Sequence, residues 1–240
     1  MGKVVLFAGK EYPDGYNLAT TAVKHKRSVV ITSLNSPSEN TDEHLPEGIK
    51  SIFWNKTSSL SARSLVLELE NLYGQIDEAI LIFDAAFFLP FFPMMNPEAC
   101  SRASDNMITS YLFLSMEILN QFKKRRGGTL IFMLKTSGFK ESSHKSNQRN
   151  PVNVLIAAGE SAFAGLAEST ALNYIENESI KILLVKGEAE SDDKRFANWL
   201  FDSIDTPNSL FYKGDARTPQ WIKLSSKVPK SFNFDKFFKR

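Results

Sequence analysis

Residues that carry thiol and metal chemistry are scarce in this chain. One cysteine, Cys100, occurs in 240 residues, which excludes an intramolecular disulfide framework and fits a reducing cytoplasm. The three histidines, His25, His44 and His144, are scattered, and no Cys/His spacing points to a metal site. An excess of one charge is also absent: the formal net charge of +2 favours no nucleic-acid partner. No apolar run reaches the ~20 residues of a membrane-spanning helix. The most apolar stretch, residues 79–95, is broken by Asp84, Pro90 and Pro93, so a soluble protein is expected. The opening residues, 1–9, are too short an apolar run for a signal peptide and read as a strand.

What is present is an alternation of apolar runs and helical periodicity. Residues 3–8, 28–33, 50–54, 79–83, 129–134 and 180–185 read as strands, with 220–224 as a candidate seventh. Between them fall helices at about 16–25, at a segment carrying Leu65, Leu69 and Leu72, at 104–124, at 153–172 and at 196–204. The helix over 104–124 carries Ile108, Leu112, Leu119 and Phe122 on one stripe. Its basic end, followed by Gly127 and Gly128, suits a helix C-terminus. Strands that are apolar throughout and separated by helices imply a parallel sheet covered on both faces. The expected fold is α/β, a doubly wound parallel sheet of about seven strands. It forms one domain over residues 1–226, with a basic, aromatic tail over 227–240.

In such a sheet a ligand sits beyond the carboxyl ends of the strands, so the first strand-to-helix turn matters most. There Gly9 and Gly15 occupy the first and last positions of a Gly-x-x-x-Gly-x-Gly pattern, with Pro13 at the middle one. Proline removes an N–H and adds a ring where backbone would approach a pyrophosphate. Residues 72–86, 108–119, 127–138 and 162–175 follow in order. Together with the first turn they resemble the short-chain dehydrogenase/reductase family over roughly residues 3–187. The resemblance implies a Rossmann-type fold, NAD(P)(H) as cofactor, carbonyl or hydroxyl redox chemistry, and assembly as dimers or tetramers.

The family's chemistry rests on a tyrosine acid/base, a lysine four residues later, a serine and an asparagine. Counting back from Gly165 and Leu166 puts Ile156 at the tyrosine and Glu160 at the lysine. No tyrosine occurs between Tyr111 and Tyr174, and no lysine between Lys145 and Lys181, so realignment restores neither. Lys135 falls at the serine, with Thr136 and Ser137 beside it. Met107 falls at the asparagine, with Asn106 one residue off. The family's Asn-Asn-Ala-Gly becomes Phe83, Asp84, Ala85 and Ala86. Ser33 stands where an acidic residue reads the adenosine ribose, and Asn55 where an aspartate lies beside adenine.

Isoleucine cannot exchange a proton, and loss of a general acid costs about 10²–10⁴-fold in rate. A protein with a replaced tetrad is therefore expected, a non-catalytic subunit or a ligand-binding protein. The alternative is an NAD(P)(H)-dependent oxidoreductase in which Glu160 accepts ribose hydroxyls and Lys135 polarises a carbonyl. Lys135 and Glu160 either pair, filling the vacated site, or point separately to solvent. Residues 85–97, rich in phenylalanine, line an apolar ligand pocket, form a subunit contact or fill the core. Residues 139–150 read as a solvated loop. The tail is expected to dock on its own domain or a neighbouring subunit rather than on a membrane or nucleic acid. As partners we expect a second copy of the chain or an active relative.

Overall fold

The computed structural model of the chain describes residues 2–34, 45–136, 153–188, 191–206 and 218–224. The 139–150 loop, the 227–240 tail, Ser137, His44 and His144 lie outside the described residues. Seven parallel strands form one sheet: β1 (Val4–Tyr12), β2 (Ser28–Ser33), β3 (Ile49–Phe53), β4 (Glu78–Asp84), β5 (Gly128–Thr136), β6 (Ile180–Glu188) and β7 (Ile222–Lys223). Their spatial order is β3-β2-β1-β4-β5-β6-β7, a Rossmann-type doubly wound arrangement. The central strands are buried on both faces, and this is why they contain almost only branched and aromatic apolar residues.

Helices α1 (Tyr16–Lys24) and α7 (Asp193–Asp205) cover one face, packing Leu18, Ala22, Phe196 and Leu200 on Phe7, Ile31 and Ile82. Helices α2 (Ser59–Tyr73), α5 (Ser110–Arg125) and α6 (Val154–Asn173) cover the other, around Phe83, Tyr111, Phe132 and Phe163. On α2, Leu65 and Leu69 are buried as the periodicity predicts, but Leu72 is exposed. Between β4 and α5 the chain forms two helices absent from the sequence reading, α3 (Ala85–Phe88) and α4 (Pro97–Ser104). A π-helical turn, Asp105–Thr109, then joins α4 to α5.

Local chemistry sets several of these boundaries. Ser58 caps α2 by accepting from Ser61 N, and Gly74 ends it at φ +78°. Asn153 Oδ1 accepts from the amides of Leu155 and Ile156 and starts α6. At the end of α5 it is Arg126, at φ +56°, that takes the left-handed conformation expected of the glycines after it. The first strand runs four residues beyond its predicted end, because Tyr12 pairs with Ser33 past an irregularity. Gly9 is thus a strand residue rather than a turn residue, at φ +102°, and a Cβ there would collide with the Ile82 carbonyl and the Tyr111 hydroxyl. No helix among the described residues is long and apolar enough to cross a membrane.

Candidate functional site

The strand order reverses between β1 and β4, and the crevice beyond their carboxyl ends is where open α/β sheets bind ligands. A charge cluster occupies it. Lys10, on β1, places Nζ 2.8 Å from Asp84 Oδ2 on β4 and 2.7 Å from Asp193 Oδ2 at the start of α7. Lys135, on β5, lies 3.2 Å from Asp84 and 2.8 Å from Asp193. Two ammonium and two carboxylate groups therefore close a neutral ring, with side chains no more than 13% exposed. Burial presses the Lys10 pKa down, but hydrogen bonds and charge from Asp193 and Asp84 outweigh it and raise the pKa above the usual lysine value. Burial likewise raises Asp84, and Lys10 with Lys135 more than reverses that, leaving its carboxyl below the usual range.

Asp84 does a second task with its other oxygen. Oδ1 accepts from Ala86 N at 3.0 Å and Phe87 N at 3.4 Å, capping α3 and fixing the phenylalanine-rich segment against the sheet. A neighbouring pair lies on the β3 side, where Lys56 Nζ stands 2.7 Å from Glu11 Oε1, both side chains at most 4% exposed. That contact lacks hydrogen-bond alignment, and neither Glu11 oxygen has a hydrogen-bond partner among the described residues. Tyr111 is buried beneath both groups and donates to the Ile82 carbonyl. Burial first, and then the charges of Glu11 and Asp84, push its hydroxyl pKa well up. A phenol so placed does not serve as a base at neutral pH.

The residues singled out in the sequence are distributed as follows. Lys135 takes Asp84 and Asp193 as its carboxylate partners rather than Glu160, because β5 lies beside β4 and α7 begins over their ends. It is 4% exposed, so it does not reach solvent either. Glu160 is half-buried on α6, and Ile156 is buried one turn earlier. Met107 packs on α6 at Gly159, where a Cβ would come 2.9 Å from Met107 Cβ. Its neighbour Asn106 turns the other way and donates through Nδ2 to Arg102 O. Both residues lie in the π turn, and such turns are frequent at functional sites. Asn55 Oδ1 accepts from Thr57 N at 3.0 Å and Thr57 Oγ1 at 2.8 Å, so it closes its own turn. Ser33 is buried at the end of β2, and Pro13 is exposed in the turn before α1.

That turn bears directly on a dinucleotide. Gly15 N donates to Glu11 O at 2.9 Å, and Tyr16 N donates to Pro13 O at 3.0 Å. Pro13 has no N–H to offer. A Cβ at Gly15 would collide with the Lys10 carbonyl, so this glycine serves close packing of the turn on its own strand. A pyrophosphate needs free amides or an unpaired cation here. The amides of Gly15 and Tyr16 are engaged within the turn, Pro13 has none, and Lys10 is held by two carboxylates, so these groups do not fit it.

Lys10, Glu11, Lys56, Tyr111 and Asp193 were not singled out in the sequence. A signal was available for the first two: charged residues at the carboxyl end of a wholly apolar strand.

No family model matches the chain. By sequence it is 21% identical over 178 residues to an uncharacterized protein of Treponema pallidum (strain Nichols), covering 73% of each chain. By structure it is similar to a short-chain dehydrogenase from Streptomyces avermitilis, with TM-score 0.66, 15% identity, and 94% of this chain and 88% of that one covered. A short-chain dehydrogenase from Mycobacterium smegmatis gives TM-score 0.66 at 16% identity, covering 94% and 93%. ElxO, solved with NADP bound, gives 0.61 at 18% identity, covering 78% and 74%. The molecule has the short-chain dehydrogenase/reductase fold.

Proposed function

We propose that this is a short-chain dehydrogenase-like protein without hydride-transfer activity, a pseudoenzyme subunit or ligand-binding protein. The observation that carries the reading is the Lys10–Asp84 ion pair across the switch point, closed into a neutral ring by Lys135 and Asp193. A dinucleotide lying there must part buried ion pairs. Breaking one costs about 3–5 kcal/mol. Micromolar binding supplies only about 8 kcal/mol in total, so parting two would consume most of it. Ile156 and Glu160, at the positions that the resemblance assigns to the tyrosine and lysine, add that no proton donor and no ribose-holding cation stand there.

The alternative is an oxidoreductase with a rebuilt site, favoured by the fold shared with NADP-bound ElxO. That reading uses Lys135 to polarise a carbonyl, and its ammonium is already engaged by two carboxylates. It is the weaker reading.

Titration with NADH and NADPH, followed by cofactor fluorescence and thermal shift, separates the two. Cofactor at 100 times its Kd adds about 2.7 kcal/mol of stability, which a melting curve resolves. The expected result is no shift and no turnover across ketone and alcohol panels. A saturable rise in Tm with either cofactor overturns the proposal.

Assembly belongs to the same reading. Leu112 and Met116 on α5 and Leu172 on α6 are 46–55% exposed, and a Cβ on Gly165 of α6 would meet nothing within 4 Å. These long helices are the surface through which a second copy, or an active relative, is expected to dock. Sedimentation of Leu112→Asp/Met116→Asp against the parent tests this, with a shift from dimer or tetramer to monomer expected. An unchanged distribution rejects the surface.

A further inference from the structure

Beside the charge ring, beyond the ends of β3 and β4, lies a pocket of about 200 Å³ that the ring's own four side chains do not line. Its walls are four phenylalanines, Phe87, Phe88, Phe91 and Phe92, with Lys56 at the base and Arg102 and Asn106 on the α4 side. The rings form a connected set, Phe87 lying 5.3 Å from Phe88 and 5.4 Å from Phe91 between centroids. A 150 Å³ apolar cavity holds benzene, so about 200 Å³ suits one ring bearing a small substituent, and not a dinucleotide.

The polar groups define what that substituent is. The Lys56 charge is neutralised by Glu11. Arg102, exposed at the rim, has its guanidinium 5.9 Å from the Phe92 ring and makes no ion pair among the described residues. The pocket therefore carries one uncompensated positive charge beside an aromatic bowl. Guanidinium presents paired donors that match a carboxylate. Adenine finds little here by comparison: Asn55 Oδ1 is occupied by Thr57, and Asn106 Nδ2 by the Arg102 carbonyl.

We propose that this pocket binds a small aryl carboxylate, its ring among Phe87, Phe88 and Phe91 and its carboxylate on Arg102. The proposal rests on the reading that no dinucleotide occupies the adjoining crevice.

Calorimetry of the full-length protein with phenylacetate and indole-3-acetate tests it, with phenylacetamide as the uncharged control. A ligand of this size is expected to bind with Kd of about 1 mM or tighter. Arg102→Gln removes a charged hydrogen bond and weakens the acids by about 10- to 100-fold, leaving the amide unaffected. Phe91→Ala, at a half-exposed ring, weakens acids and amide alike. Both variants should keep the parent Tm. Adenosine 2′-phosphate is run in parallel. Tighter binding of that nucleotide, lost in Arg102→Gln, overturns the proposal in favour of a nucleotide site. No binding of either acid at about ten times the expected Kd also overturns it. NADPH binding by the parent sinks the reading beneath it as well, whereas silence from both NADPH and the acids sinks the aryl carboxylate alone.

Discussion

Lys10 Nζ stands within 2.8 Å of both Asp84 and Asp193, so removing one carboxylate leaves two ammonium groups sharing a single partner away from water. Asp84→Asn is nearly isosteric and retains an oxygen to cap α3, which isolates the charge from the cap. It is expected to destabilise the fold by about 3–5 kcal/mol in urea titration, the usual result of breaking a buried pair. A loss below about 1 kcal/mol, typical of an exposed pair, would mean that water already screens the ring. At this scale the sequence was partly legible. The absence of tyrosine and lysine from the 146–173 stretch can be read directly, and so can Ile156 and Glu160 at the positions the resemblance assigns to that pair. Where Lys135 sends its charge cannot be read there. The sequence leaves open a pair with Glu160 or a separate exit to solvent, but a side chain pairs with whatever the neighbouring strand ends present. Those are Asp84 and Asp193, 51 and 58 residues away in sequence.

Helix α6 shows how one element divides its labour. Gly159 faces the π turn, and a Cβ there would lie 2.9 Å from Met107 Cβ, 3.0 Å from its Sδ and 3.2 Å from Phe83. Gly165, less than two turns on, has open space. Alanine improves helix propensity by about 1 kcal/mol at either position, while overpacking costs about 1–3 kcal/mol at the first. Gly165→Ala is therefore expected to raise Tm, and Gly159→Ala to lower it or leave it unmoved. Equal effects at the two sites would refute the close approach. The element boundaries were largely legible, since strand β2 and helix α6 fall within a residue of their expected ends. The 85–109 segment was not. Its prolines and phenylalanines give no clean period, and α3, α4 and the π turn form because Asp84, Asn96 and the sheet edge cap and hold them.

Stability of the whole molecule should depend on pH in a way that two charge networks dictate. The second network ties the residues just before β1 and β2 to β4 and α7: Arg27 holds Glu78 at 2.6 Å and Asp205 at 2.8 Å, and Lys3 also reaches Glu78. Asp84 and Asp205 titrate below their unfolded values, Asp205 chiefly through its hydrogen bond from Arg27. Their contribution is present above about pH 4 and is lost as pH falls through the lower folded values. Lys10 and Lys3 titrate above theirs, with carboxylate partners outweighing burial. Their contribution is present below about pH 10.4 and is lost as pH rises through the higher folded values. A plateau of the urea midpoint between about pH 5 and 9, with losses on both sides, is expected. A maximum confined to one limb would show that only one of the two sets of groups is coupled to folding.

Sequence alone determined the layered α/β architecture, the parallel sheet and the absence of tyrosine and lysine from residues 146–173. Hydrophobic periodicity and residue identity are local properties, and a strand buried on both faces advertises itself by composition. Tertiary structure alone decided which charges meet. Strand order places Lys10 beside Asp84, 74 residues away, and α7 brings Asp193 from 183 residues away to close the ring. It also decided that the amides at 15 and 16 bond within their own turn, and that the phenylalanines after β4 surround a pocket beside an arginine with no ion pair among the described residues. Ion pairs and pocket walls are set by proximity through the crossovers of the sheet, which no local pattern records.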